Sequence, residues 1–381
     1  MPETNPGAAS PFVEYKPEFE HPEKGEDHEQ ETVAELSEVM VGIAATMADH
    51  TGHAMRAVHA KGHGLLRGKL QVVGNLPPAL AQGVFAAPRD YEVLLRVSTP
   101  PAEQLADNVS TPRGLAMKIL GVEGPRVEGS EGDTTQDILM VNGPAFAAPG
   151  PKGFLKNVKL LAKTTDKAPR AKEVLSAVLR GTEKIIEAVG GESATLKSMG
   201  GHPQTHPLGE TFFSQVPCLY GPYIAKYSLV PVSAALTALK DAPLDMDDKQ
   251  EAIRGAIQHF FASPGADEAE WELKVQLCTN IDEMPIEDAS VEWSEELSPF
   301  ITVARLTVPR QAGWDSQLSP AAEDNLSFNP WHALAAHRPL GAVMRARRVA
   351  YKASSGHRAA FNGCPMHEPQ SAAAALNTAQ A

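Results

Sequence analysis

Apolar positions begin to recur with a helical period at Glu29. Val33, Leu36, Met40, Ile43 and Met47 follow at three- and four-residue spacing, which places them on one face of an α-helix. Residues 1–28, ahead of this helix, show no periodic face and read as an extended arm. Between Gly68 and Val141 the period falls to two. Tyr91, Val93, Leu95 and Val97 alternate with Glu92, Leu94, Arg96 and Ser98, and Leu115, Met117 and Ile119 alternate with Ala116 and Lys118. Turns containing Pro and Gly separate these runs, which predicts hairpins of an antiparallel sheet. Val174, Val178, Ile185 and Ala188 then mark a helical middle. Strand patterns return over residues 223–229 and 271–277, with a helix predicted over 248–261 between them and a last strand over 300–308. That order of elements predicts an α+β protein built on one antiparallel sheet or barrel, not a doubly wound one. Residues 368–381 are low in complexity and read as a mobile tail.

The 381 residues carry a formal net charge of −13, and 43% are hydrophobic against 21% charged. This is an ordinary globular composition, with enough chain to bury a core and a sizeable cofactor. No apolar run approaches the ~18 residues that a bilayer span needs. The acidic start lacks the basic and apolar regions of a secretory signal. A net acidic chain without Lys/Arg runs argues against nucleic acid or an anionic membrane as partner. Cys218, Cys278 and Cys364 are too few and too scattered for a disulfide framework or a zinc site, so a reducing, cytoplasmic setting is the default expectation.

Four short stretches carry side chains that chemistry uses. His59 stands just ahead of a glycine-rich strand start, where a general base would need a fixed tautomer and a partner. His59 and His63 have a helical metal-binding spacing, but Gly62 and Gly64 argue against a helix through both. A solvated histidine is the plain alternative. Arg96 and Ser98 project on the same side of their strand, so burial would demand an anion for one and a ring N–H for the other. The plain alternative is a solvent-facing edge. Asn142, followed by Gly143 and Pro144, is either a turn former or an amide aimed at a ligand. Arg347 and Tyr351 are four apart on a predicted helix, and Arg358 returns to nearly the same azimuth if the helix continues past Gly356. An arginine beside a phenol favours the phenolate, and tyrosinate is a known axial ligand of haem iron. A basic helix facing solvent is the alternative there.

His-Ala-Lys-Gly at 59–62, Arg-x-Ser-Thr at 96–99, Arg-Gly-Leu-Ala-Met-Lys at 113–118, Asn-x-Pro at 142–144, Phe154 and Arg-x-x-x-Tyr at 347–351 together resemble the haem catalase family. The resemblance runs from about residue 50 to 360. The chain is similar to the compact bacterial branch, the catalase-related peroxidases, which is also related to haem enzymes that convert fatty-acid hydroperoxides. The resemblance implies a catalase-like antiparallel β-barrel with surrounding helices and haem b (iron protoporphyrin IX) buried between barrel and helices. Residues 29–360 would form this haem domain and 361–381 a flexible tail. Tyr351 would be the proximal iron ligand, held as phenolate by Arg347. His59 would be the distal acid/base, oriented by Ser98, with Asn142 donating to bound peroxide. Val58 would narrow the approach, Phe154 would stack near the distal face, and Arg56, Arg96 and Arg358 would bind the propionates.

The implied activity is peroxide degradation, by dismutation or by peroxidation of an organic donor, through a ferryl intermediate. Conversion of a lipid hydroperoxide is the runner-up, and non-catalytic haem binding a third reading. Arms in this family often exchange between copies of a homo-oligomer. The chain also departs from the family. Ala147 stands where a second phenylalanine is usual, which implies a more open distal pocket. After Tyr351, His357 and Arg358 match but residues 352–356 do not. No nicotinamide cofactor is assigned, and the acidic run 283–288 reads as a solvated loop.

Overall fold

The computed structural model describes residues 10–20, 28–100, 102–109, 111–164, 203–247, 249–263 and 268–377. The strands are β1 (Lys61–Val72), β2 (Asp90–Thr99), β3 (Gly114–Leu120), β4 (Thr135–Val141), β5 (Phe212–Phe213), β6 (Cys218–Tyr220), β7 (Tyr223–Pro231), β8 (Ala269–Leu277) and β9 (Ile301–Val308). The principal helices are α1 (Glu29–Thr51), α2 (Pro151–Thr164), α3 (Ala252–Ala262), α4 (Leu318–Asn325), α5 (Ala342–Asn362) and α6 (Ala372–Asn377). The period-two runs are the barrel strands. The helical middle expected around Val174–Ala188 lies outside the described residues.

Every pairing is antiparallel, in the order β1-β2-β3-β4-β5-β7-β8-β9, and β9 returns to β1. The sheet is therefore a closed barrel, with β6 added outside on β7. Closure removes the free edges that an open antiparallel sheet would expose. One face of β2 and β3 points inward: Tyr91, Val93, Leu95, Val97, Leu115, Met117 and Ile119 belong to the main buried cluster. The opposite face is also covered: Leu94 of β2 and Ala116 of β3 pack with Ala322 and Leu326 at α4 and with Ala372 and Ala375 of α6. The longer helices pack on one another. Val33, Leu36, Met40, Ile43 and Met47 of α1 pack with Leu155 and Val158 of α2 and Ala346 and Ala350 of α5. Burial of each such large side chain contributes about 1.5–3 kcal/mol, so this packing fixes where α5 lies. Among the described residues, no helix is long and apolar enough to cross a membrane.

Residues of the N-terminal arm dock on the same chain. Val13 N–H donates to the Cys278 carbonyl (2.8 Å) and Glu14 bridges to Tyr223. Glu20 then accepts from the Gly341 N–H (3.0 Å) at the start of α5, and Glu287 accepts from Ala342 N–H (2.9 Å). Both carboxylates sit at the positive end of the helix dipole. Glu29 and Glu287 grip Arg345, one turn further on, at 2.8–3.0 Å. The acidic run 283–288 is thus no solvated loop at Glu287, because that carboxylate caps and clamps α5.

The tail differs from expectation too. Phe361 and Asn362 belong to α5, and α6 buries Ala372 and Ala375 against Ala322 and Leu326 beside α4. Alanine-rich sequence forms helix readily and packs closely because its side chains are small. An ion cluster holds the tail down. Lys118, with no exposed surface, reaches Asp137 (2.8 Å) and Glu368 (2.5 Å), and His332 Nδ1 lies 3.1–3.2 Å from the same two carboxylates. Burial opposes charge on His332, but bonds to Asp137 and Glu368 prevail and raise its pKa to about 9. Lys118, despite burial, is raised by the same acids and keeps its charge.

A raised histidine pKa stabilises fully below the ordinary value of 6.5 and loses that contribution as pH climbs through about 9. Residues 368–377 are therefore expected to exchange amide hydrogen faster at about pH 10 than at about pH 7. Unchanged protection of that segment, measured by mass spectrometry after correction for intrinsic exchange rates, would contradict the clamp.

Candidate functional site

The ends of β2, β3 and β4 line up, with Ser98 opposite Gly114 and Gly114 opposite Val141. His59, just ahead of β1, lies over this row. Its Nδ1 is 3.2 Å from Ser98 Oγ, and among the described residues Nε2 has no hydrogen-bond partner. Its backbone is left-handed (φ +52°), a conformation that costs a non-glycine residue of order 1 kcal/mol and tends to persist where function requires it. Burial, then the charges of Arg96, Arg347 and Arg56, lower the His59 pKa to about 3, so the ring is neutral at physiological pH. The side chain nevertheless keeps accessible surface.

Gly114 is the glycine of Arg-Gly-Leu-Ala-Met-Lys, and sequence reasoning gave it no role. A Cβ there would lie 2.7 Å from His59 Cε1 and Nδ1. The absence of a side chain at 114 is what lets the imidazole lie against the strand. His63 points elsewhere: it is buried in β1 with Nε2 2.9 Å from Thr99 Oγ1. It does not pair with His59, and no metal-ligating cluster of His, Cys, Asp or Glu occurs among the described residues.

Asn142 follows Val141 at the end of β4. Its Oδ1 accepts from the Arg113 N–H (2.8 Å) and its Nδ2 donates to Glu210 (2.8 Å), so one amide hydrogen remains for a ligand. Val58 and Phe154 border the cluster formed by α1, α2 and α5, and the Phe154 ring meets Phe146 at 5.1 Å. Ala147 is exposed on the loop. Phe146 is the residue of that loop whose ring reaches Phe154.

Helix α5 runs unbroken through Gly356. Arg347 Nη2 donates to Tyr351 Oη at 2.8 Å. Further along, Arg358 donates to the Glu323 and Leu326 carbonyls, both at 2.8 Å. Arg56 binds the same two carbonyls (3.2 and 3.0 Å) and the Glu323 carboxylate (3.4 Å). Arg96 closes the group with a two-pronged bond to that carboxylate. Three arginines thus converge from the loop before β1, from β2 and from α5. Burial, then neighbouring guanidiniums, push the pKa of Arg56 down and that of Arg358 to about 10. Glu323 also escaped sequence reasoning. It is an acid in a short polar helix, and nothing local announces three cations around it.

The residues fit a flat dianion. Arg56 and Arg96 share the Glu323 carboxylate and Arg358 joins them through main-chain carbonyls, so three guanidiniums gather around one carboxylate, and a phenol backed by a guanidinium is a donor for ferric iron. The sequence matches no protein-family model and no curated protein. By structure the chain is similar to a bacterial catalase (15% identity, TM-score 0.54, 82% of this chain and 59% of that one). It is also similar to a fungal catalase (16%, 0.55, 82% and 61%) and to catalase A from Saccharomyces cerevisiae (18%, 0.56, 86% and 66%). The fold is catalase-like, and the chain spans roughly three fifths to two thirds of the length of those catalases.

Gly114→Ala is expected to fold but to drive the His59 ring off Ser98. The readout is the nitrogen-15 spectrum of the imidazole, which should change tautomer or shift strongly. An unaltered His59 spectrum in the variant would show that Gly114 does not seat the ring.

Proposed function

We propose that this chain binds haem b between barrel and helices and degrades hydrogen peroxide. The observation that carries the proposal is the position of Arg347. It donates to Tyr351 Oη at 2.8 Å, and its charge is among those that lower the His59 pKa, so one guanidinium acts on both the phenol and the imidazole. The resemblance of motifs and the catalase-like fold support the same reading.

In this reading Tyr351 binds the iron as phenolate and Arg347 offsets its negative charge. Arg56, Arg96 and Arg358 hold the two propionates, and Val58 and Phe154 supply apolar wall. The cofactor supplies the redox-active iron at which the peroxide O–O bond is cleaved. His59 Nε2 takes the proton from one peroxide oxygen and returns it to the other, which leaves as water. A neutral ring is required for the first transfer, and the depressed pKa maintains it. Ser98 fixes Nδ1, so that the free lone pair stays at Nε2 when Nδ1 carries the hydrogen. Asn142 directs its remaining N–H at the bound peroxide, held by Glu210 and Arg113. A second peroxide, or an organic donor, returns the electrons.

Protein loaded with ferric haem is expected to show a Soret band and to evolve oxygen from hydrogen peroxide. Tyr351→Phe should retain less haem, and its turnover per haem should fall at least about a hundredfold, as for loss of a group that acts in the transition state. A variant with full haem content and full turnover would remove Tyr351 from the role assigned.

A further inference from the structure

The arginine cluster contains a carboxylate that the haem reading does not use. Glu323 is 8% exposed. It takes both prongs of Arg96 and a bond from Arg56, while its own carbonyl and that of Leu326 accept from Arg56 and Arg358. The end of α4 thus presents its unpaired carbonyls and one full negative charge to all three guanidiniums. The seat for this carboxylate is built from the opposite side as well. A Cβ on Gly62 of β1 would meet Glu323 Oε1 at 2.5 Å and the Trp314 ring at 2.9 Å. Asp324, the adjacent acid, turns outward to His53 (3.0 Å) and hydrogen-bonds none of the three arginines, though its charge is felt by Arg56 and Arg358.

We propose that Glu323 is a fixed counter-charge that matches the arginine cluster to a dicarboxylate porphyrin. The inference rests on the haem reading and adds a residue and a specificity to it. Three like charges buried together repel, and one carboxylate among them stabilises the empty cluster. The same carboxylate repels each incoming one. Counting the groups bonded within the cluster, three guanidiniums and Glu323, a ligand bearing two carboxylates brings it to neutrality. Without it, two carboxylates leave a positive charge over. Glu323 therefore acts in opposite directions on two measurable quantities: it stabilises the ligand-free fold and weakens binding of the dianion. A merely structural residue would move both in the same direction.

The test uses metal-free protoporphyrin IX, followed by quenching of tryptophan fluorescence, so that neither iron ligation nor turnover enters the readout. Relative to the unaltered protein, Glu323→Gln is expected to lower the ligand-free melting temperature and to bind the diacid about tenfold more tightly, the scale of one partly screened charge a few ångströms away. Affinity that is unchanged or weaker in a folded variant would overturn the inference, as would a ligand-free melting temperature that does not fall. A second measurement needs no variant. The unaltered protein should bind protoporphyrin IX more tightly than its uncharged dimethyl ester, with a preference that shrinks as salt rises. Equal binding of the two overturns the charge-matching inference and leaves haem binding standing. Failure of the unaltered protein to bind ferric haem or either porphyrin overturns the haem reading itself, and this inference with it.

Discussion

Three arginines gathered at the end of α4, two of them buried, are the constraint on which the rest of the structure turns. A guanidinium is desolvated only at large cost, and partners must offset that cost. Here the partners that all three share come from one place, the end of α4, while the arginines come from three separate elements. The loop before β1, the strand β2 and the helix α5 must therefore all be in register with α4 for the whole cluster to be satisfied. His59 follows Arg56 by three residues, and Tyr351 precedes Arg358 by seven on the same helix. Seating the arginines thus goes together with placing the imidazole and the phenol.

Helix α5 transmits that placement along the molecule. Its first turn is held by Glu20, Glu29 and Glu287, drawn from the arm, from α1 and from a loop after β8. Its middle packs Ala346 and Ala350 into the helical cluster, and its last turns carry Arg358 to α4. Alanine at these contacts allows close approach, while Arg347 and Tyr351 remain only half-buried beside them. Glu368 and α6 then press the chain's last described residues back over α4. The helix that would hold the iron is thus fixed at its start by ion pairs, in the middle by packing and near its end by the bonds of Arg358 to backbone carbonyls.

The barrel was legible in the sequence because a strand's side chains alternate strictly. Tyr91, Val93, Leu95 and Val97 face inward as their spacing requires, and Arg96 and Ser98 share the other face. That face turned out to be covered by helices, which alternation alone cannot tell from solvent. The Arg347–Tyr351 pair was equally readable, since four residues make one helical turn. Gly114, Glu210 and Glu323 were not. Each acts through a partner distant in the chain, such as Ser98 and His59 for Gly114 or Asn142 for Glu210, and no local pattern encodes those meetings. The tail was misjudged for a related reason. Its alanines look featureless alone and become informative only against Ala322 and Leu326.

The most direct test of the account is an anomalous difference map, recorded at the iron edge, from crystals of the haem-loaded protein. It should show one iron peak per chain within bonding distance of Tyr351 Oη, on the side of the ring that faces His59. An iron peak at any other residue, or haem bound with Tyr351 turned away from it, would contradict the central claim.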